Sequence, residues 1–578
     1  MKWETISEGP AGKHHWSSEN ERGYRIQERP YGTERPMRII HVGAGISGIC
    51  LSKYLDESSG NVDLICYDKN SDIGGTWFEN KQVLPMANGR KIFTWARNPN
   101  WSQFYSSAGE IWRYLKDVVE TFNLKKYMKL NHEVIAASWD DDMGVWEVTI
   151  KDPSGATFVD RAEILINNAG VLNNWKIPDI QGLSSFEGTV CHTARYDPSL
   201  DLKGKRVAVI GMGSSGIQVT ATIADQVDQL FTWVRSSTWI TAGFAQNWAG
   251  PNGENFEYSD EQKKRFQDDP LEYLHYCKQI ESELNSRFKF ILNDTPEAAQ
   301  AKEFATNQMR QRLGGNKELA EKLIPKTFSI GCRRPTPGNG FLEALIKPNV
   351  KVFTQRLQKI TPKGFVNDDE SEHEVDVIIC ATGFDTSWIP RFPVIANGKN
   401  VQDVFSERLV SYLSIGVPEI PNYWMGVGPY GPLGHGSFIP IIELVSRHIL
   451  AIVKKMQKEN IKSLAPRRDV SEHFAEHADL FIQRTAWSGP CRSWFKQGRL
   501  DGKAAIFPGS RLVYMDLLKQ PRFEDYTITY QYGNPFSFLG NGFSTKEFDG
   551  SDLSYYLGTD DSPGGLLPKK EPVNPIES

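Results

Sequence analysis

Residues 38–48 read Arg38-Ile39-Ile40-His41-Val42-Gly43-Ala44-Gly45-Ile46-Ser47-Gly48, and a helical pattern continues from there to Glu57. A short apolar strand therefore runs into a GxGxxG turn and out into a helix. A second strand, Val62 to Tyr67, ends on Asp68, about 20 residues past the last glycine. This is the βαβ context in which such a turn carries meaning. Gly43 permits the tight turn, and Gly48 lets the helix approach the strand. Gly45 lets the backbone of Ala44, Gly45, Ile46 and Ser47 approach a pyrophosphate resting on the positive helix N-terminus. Asp68 is placed to accept hydrogen bonds from a ribose. A chance glycine-rich turn would not bring the acidic residue with it.

The motif recurs at Gly211-Met212-Gly213-Ser214-Ser215-Gly216, behind the strand Val207–Ile210 and before another helix. The next strand, QLFTWVR, ends on Arg235-Ser236 rather than on an acid. An Asp there would repel a 2′-phosphate, whereas Arg235 and Ser236 attract one, so NADPH is favoured over NADH. Two such units in one chain imply electron transfer between two nucleotides, normally from nicotinamide to flavin. The fold alone does not name what receives the electrons.

Composition narrows the choice. The seven cysteines are odd in number and contain no CxxC pair. This argues against a disulfide framework, a zinc or other metal site and a redox-active disulfide, and favours reduced thiols in a cytoplasmic protein. Oxygen, a quinone or an organic substrate remain as acceptors. A net charge of −5 without a basic stripe argues against nucleic-acid partners. No apolar run approaches the length of a membrane span, and residues 1–16 lack the apolar core of a signal peptide. The helix expected over Ile441–Met456 is amphipathic, interrupted by Arg447 and His448.

The expected architecture is α/β, with two Rossmann-like dinucleotide-binding domains, the second inserted into the first. An N-terminal arm covers residues 1–36. A discontinuous FAD-binding domain takes 37–190 and 371–545, the latter including the buried strand Val375–Cys380. An NADPH-binding domain takes 191–370 and carries a charged helical insertion over about 245–330, which with Trp239, Trp248 and Trp494 is expected to shape a substrate pocket. Residues 546–578 form a tail whose end reads as disordered.

Phe186-Glu187-Gly188-Thr189-Val190-Cys191-His192-Thr193-Ala194-Arg195-Tyr196-Asp197 resembles the fingerprint of class B flavin monooxygenases, FxGxxxHxxx followed by an aromatic. Gly74-Gly75-Thr76-Trp77, Asn98-Pro99-Asn100-Trp101 with Phe104-Tyr105, and Ala381-Thr382-Gly383-Phe384-Asp385 are similar to further motifs of that family, and the likeness extends over about residues 36 to 558. The Baeyer–Villiger branch, and its fungal secondary-metabolite members in particular, fits best. The resemblance implies that FAD lies against the first glycine turn with Asp68, Lys69, Gly75, Thr76, Trp77 and Asp385. It implies that Arg333 helps hold the NADPH 2′-phosphate, that Arg334 lies over the flavin as the catalytic cation, and that His192 couples the domains. The implied reaction uses NADPH and O2 to insert one oxygen atom beside a ketone carbonyl, giving an ester or lactone. Tyr196 is a feature of the N- and S-oxygenating branch and Asp197 of the Baeyer–Villiger branch, so heteroatom oxygenation is the alternative. A nucleotide-binding protein that has lost oxygenation is a third.

One segment departs from the family. After GGTW the family carries Tyr-Pro-Gly and then an Asp near flavin and nicotinamide. Here residues 78–90 read FENKQVLPMANGR, without Tyr-Pro at the expected place and with Arg90 where the Asp would fall. No catalytic role is transferred to Arg90.

Overall fold

The computed structural model describes residues 20–558 apart from 22, 59, 81–85, 88–92, 198, 242 and 244. The first nineteen residues of the expected arm, the end of the expected tail and nearly all of the Lys81–Arg90 segment lie outside the described residues. Of that segment, the two-residue strand Met86–Ala87 pairs antiparallel with Tyr105–Ser106.

Contacts divide the chain into two units. The smaller gathers residues up to Pro36, Lys454–Lys462 and those from Thr529 on. Inside it the arm pairs with late chain, Pro30 bridging Gly540 and Tyr31 bridging Ser544. The larger unit, Met37–Val453 with Ser463–Ile528, contains both glycine motifs.

Its first sheet has the order Tyr423–Met425, Ile164–Asn167, Met37–Val42, Val62–Asp68, Met128–Leu130, all parallel. The strand Met37–Val42 is buried on both faces, as its run of Ile and Val demands. The helix Ile46–Glu57 covers one face. On the other, Trp146, Val148 and Ile150 of a largely antiparallel sheet pack against Ile40, Leu165 and Tyr423.

The second sheet runs Thr189–His192, Val377–Cys380, Arg206–Ile210, Gln229–Trp233, Val350–Phe353, again all parallel. Two expected boundaries move here. The strand Val377–Cys380, assigned from sequence to the first domain, lies inside the second sheet, between Thr189–His192 and Arg206–Ile210. All four of its residues are buried, as befits an interior strand of a covered parallel sheet. The boundary at 190/191 likewise cuts a continuous strand, Thr189–His192. The return to the first sheet comes after Cys380 and is complete by Tyr423.

Over the region expected to be helical stand Asp260–Asp268, Pro270–Ser286, Pro296–Arg312 and Lys317–Leu323. Side-chain caps from Ser259, Asp269, Thr295 and Asn316 start them, and Pro occupies the first turn of the second and third. The late helix runs Ile439–Glu459.

Gly216 is where helix meets strand most closely. A Cβ there would lie 1.9 Å from the Gly211 carbonyl oxygen, a backbone atom that cannot swing aside. Gly216→Ala is expected to cost at least about 2 kcal/mol of stability, read as a lowered thermal midpoint in the protein without added nucleotide.

Candidate dinucleotide and active site

The two glycine turns are built alike. Gly43 and Gly211 both have positive φ, 106° and 116°. A Cβ on Gly43 would sit 2.7 Å from the Asn168 carbonyl oxygen, and one on Gly211 2.3 Å from that of Ala381. Each turn is thus wedged against the strand beside it. At the middle glycine the constraint disappears. A Cβ on Gly213 would meet nothing within 4 Å among the described residues, so these do not require glycine there. Open space over a glycine at a helix N-terminus fits a pyrophosphate. At Gly45 the only neighbour is the backbone of Gly75, with Cα 3.6 Å away. The amide of Gly74 donates to the Ala44 carbonyl at 3.0 Å. The GGTW turn therefore forms a wall of the first phosphate loop. Thr76 and Trp77 open the short helix Thr76–Glu79, and Trp77 packs against the core.

Asp68 braces this loop. One carboxylate oxygen accepts from the Ala44 amide at 2.7 Å and the other from the Asn70 amide at 2.8 Å. Burial raises its pKa while both amides oppose the shift. Each oxygen keeps a lone pair for a ribose hydroxyl. Lys69 pairs with Glu79 at 2.8 Å. Asp385 is exposed. Its amide donates to the Asn174 carbonyl, and its carboxylate accepts from the Ser387 amide.

In the second loop, the Ser214 hydroxyl is 2.8 Å from that of Thr336, two residues past Arg334. The pair Thr336–Pro337 also aligns with Ile240–Thr241, close after the strand that leads to Arg235 and Ser236. These contacts hold the segment carrying Arg333 and Arg334 beside the second glycine turn. Thr336 carried no motif, and sequence reasoning passed over it. Burial lowers the pKa of both arginines, with no opposing carboxylate. Among the described residues neither forms an ion pair, and the Arg333 Nε is buried without a hydrogen-bond partner. Arg235 and Ser236 are exposed at the strand end.

His192 ends its strand opposite Cys380, beside the Ala381–Asp385 segment. It is 1% exposed, and its Nδ1 accepts from the Ala194 amide at 3.1 Å, which requires the proton on Nε2. That Nε2 is buried without a partner. The ring stacks on Trp175 at 4.9 Å, with Phe384 edge-on at 6.3 Å. Trp175 escaped the sequence reading, since nothing in its spacing singles it out.

The expectation of reduced thiols throughout is corrected at one pair. Cys332 and Cys491 form a disulfide, with Cα atoms 6.3 Å apart and 159 residues between them in sequence. The other five cysteines are free, so an odd total conceals one bridge. Of the tryptophans expected at a pocket, Trp239 is buried in the core, with Nε1 donating to the Phe328 carbonyl. Trp248 lines a groove of about 710 Å³ with Phe256, Phe266 and Tyr276, but neither the glycine turns nor Arg334 forms part of its wall.

A family model for flavin-binding monooxygenase-like proteins matches residues 36–253. The FAD-binding monooxygenase moxY of Dothistroma septosporum is 36% identical over 550 residues, 93% of this chain and 87% of that protein. The chain belongs to the flavin-binding monooxygenase-like family. Another relative, the FAD-binding monooxygenase tazF of Aspergillus terreus, is 35% identical and aligns over 91% of this chain and 96% of its own. Among solved structures, a closed form of cyclohexanone monooxygenase superimposes with a TM-score of 0.74 at 24% identity, over 86% of this chain and all of that one. Cyclohexanone monooxygenase from Rhodococcus sp. Phi1, bound to NADP+, gives 0.73 at 25% identity, again over 86% of this chain and all of the other. The fold is thus the mixed α/β fold with Rossmann-like parallel sheets expected from the two turns. Among the described residues no group of His, Cys, Asp and Glu could hold a metal ion, and no helix is long and apolar enough to cross a membrane.

The contrast at Gly213 gives a sharp test. Gly213→Ala should leave the thermal midpoint of the protein unchanged but weaken NADP+ binding at least about tenfold, because the methyl occupies space the ligand needs. Isothermal titration checks it. A second test concerns acid. Asn168 uses its Oδ1 to accept from the Gly426 amide, so its Nδ2 donates to His41 Nε2 at 2.8 Å. His41 must then be neutral at Nε2, and burial pushes its pKa down to about 4. The unfolded chain binds this proton first, so the contribution is intact above pH 6.5 and is lost as pH falls toward about 4. Thermal midpoints at pH 7.5 and 5 should show a drop that is smaller in His41→Leu than in the natural protein.

Proposed function

We propose that this monooxygenase uses FAD and NADPH to insert one oxygen atom from O2 beside the carbonyl of a bulky, apolar ketone, producing an ester or lactone. The observation that carries the reading is the Arg333–Arg334 segment. It presents two half-buried guanidinium groups without carboxylate partners among the described residues, and it is pinned through Thr336 to Ser214 of the second glycine turn. A cation left unneutralised in a partly desolvated place has an anionic ligand or a developing negative charge to meet.

FAD would be held by Gly43–Gly48, by Asp68 behind that loop, and by Gly75, Thr76 and Trp77. NADPH would be held by Gly211–Gly216, with Arg235, Ser236 and Arg333 on the 2′-phosphate. The flavin, when bound, supplies the redox chemistry between nicotinamide and oxygen. The chain's own part is placement and electrostatics. Arg334 stabilises negative charge on oxygen beside the substrate carbonyl, most strongly where water is excluded. His192, kept neutral by burial and clamped on Trp175, ends the strand that joins the two nucleotide folds. Tyr196 packs inside the second domain with Leu202, Val207 and Val219. Its aromatic character is accounted for by that packing, which removes its weight in favour of N- or S-oxygenation. We take the ketone to be a polyketide or terpenoid of secondary metabolism, by analogy with the fungal relatives, and the enzyme to act in the cytoplasm.

The experiment is NADPH consumption against hydrogen peroxide release by the FAD-loaded protein, with and without a panel of bulky ketones. An ester appearing as peroxide falls supports the reading. An N-oxide or sulfoxide from an amine or sulfide panel would replace it, and conversion of all NADPH to peroxide would make the chain an oxidase. Arg334→Ala should retain FAD yet lower ester formation by on the order of 100-fold or more. Arg235→Asp should cost NADPH about 1.5–3 kcal/mol of binding and move the preference toward NADH.

A further inference from the structure

Cys332 directly precedes Arg333 and Arg334, and Cys491 lies three residues before Trp494. Their bridge is buried, with Cys332 0% and Cys491 2% exposed. It ties together two stretches that each lead to a candidate nucleotide site. On one side Arg333–Arg334 continues into Thr336, which is bonded to Ser214 of the second glycine turn. On the other, Trp494 lies 6.3 Å from Trp388, and the Gln497 side chain donates to the Ser387 carbonyl at 3.1 Å, both just past Asp385. Around the bridge the loop is anchored in the core by Trp487 and Phe495, and by a set of mostly local hydrogen bonds. Lys496 Nζ donates to the carbonyls of Gly489 and Leu500, and the Cys491 amide donates to that of Gly489. These hydrogen bonds stay within the loop, so the covalent link adds a direct restraint between it and the arginine segment, beside the packing of both cysteines in one core cluster.

We propose that the Cys332–Cys491 bridge is a redox-sensitive tether which positions the Arg333–Arg334 segment and so sets the affinity for NADP(H). This rests on the reading above that Arg333 and Arg334 meet that nucleotide. Reduced, the arginine segment loses its covalent restraint to the packed loop, so ordering it on the ligand costs more conformational entropy. Oxidised, they are pre-organised. The reaction balances with a peroxide as oxidant. Two thiols lose two protons and two electrons to one hydrogen peroxide, which leaves as two waters, and a dithiol reverses the step by exchange. Hydrogen peroxide is what a flavin monooxygenase releases when turnover is uncoupled, so a loosened site would produce the agent that closes its own tether. Coupling between ligand and bridge is reciprocal. NADP+ bound at the site must make the bridge harder to reduce by the same factor.

The test begins with a thiol count. Protein treated with one equivalent of hydrogen peroxide and then denatured in an alkylating reagent should show five modified cysteines, namely Cys50, Cys66, Cys191, Cys277 and Cys380. A Cys332–Cys491 cross-linked peptide should appear in the digest. Seven modified cysteines would overturn the proposal. NADP+ affinity is then measured by titration calorimetry on the FAD-loaded natural protein before and after dithiol reduction. The expected result is weaker binding in the reduced form by on the order of tenfold, with FAD retention unchanged, and a smaller reduced fraction of the bridge at equilibrium with a dithiol buffer when NADP+ is present. The double variant Cys332→Ser/Cys491→Ser should match the reduced protein and ignore redox treatment. The natural protein in its two states carries the test alone if that variant folds poorly. Equal affinity in both states overturns the tether. Arg333→Ala separates the two levels. If it weakens NADP+ binding while redox state does not, the site reading stands and the tether falls. If it leaves NADP+ binding unchanged, the site reading fails and takes the tether with it.

Discussion

At Gly43, Gly48, Gly211 and Gly216 backbone approaches backbone more closely than any side chain would allow, and the rest of the site is arranged around those contacts. The carbonyl of Gly211 stands 1.9 Å from where a Cβ of residue 216 would be, and the Gly43 carbonyl 2.4 Å from one on residue 48. The turns themselves press on Asn168 and Ala381 of neighbouring strands. Because these are main-chain atoms, the helices have no latitude to slide. The open ends of both helices are therefore fixed relative to the sheets, and every candidate ligand contact is measured from them. Gly213 is the informative exception, since among the described residues nothing stands against it.

Around this rigid frame the polar groups divide into two kinds. Some already brace the protein itself. Asp68 spends one lone pair of each oxygen on the loop it supports, and His41 is locked neutral by an amide whose other end is already committed. Others are buried with capacity to spare, such as the Nε2 of His192 and the Nε of Arg333. Buried polar groups are seldom left unsatisfied. His192 ends a strand of the second parallel sheet at its carboxyl end, the place at which open α/β sheets take ligands.

Much of this was legible in the chain. The two glycine turns, their flanking strands, the helical insertion and the amphipathic late helix follow from local periodicity and turn chemistry. What was not legible depends on long-range pairing. Val375–Cys380 reads as a buried strand, but no residue in it says which sheet it joins. Cys332 and Cys491 are separated by 159 positions, and an odd cysteine count reads as an unpaired set although five free thiols and one bridge give the same total. Thr336 and Trp175 are ordinary residues whose roles come from who stands next to them in space. The place of Asp68 at the strand end is legible in the sequence, but its bracing of the turn depends on the Ala44 amide folding back onto it.

The strand order has a consequence for synthesis. The first sheet opens at Met37 yet receives its last strand, Tyr423–Met425, nearly four hundred residues later. The second sheet receives Val377–Cys380 between two strands made long before it. As the chain leaves the ribosome, the first sheet waits with an unfilled edge and the second with a vacant slot between strands that cannot pair directly. The second sheet can close once residue 380 is made, whereas the first, begun earlier, must wait until residue 425. Such a nascent chain holds the apolar edge of its first sheet unpaired for most of its synthesis, a surface open to wrong pairing until Tyr423–Met425 arrives.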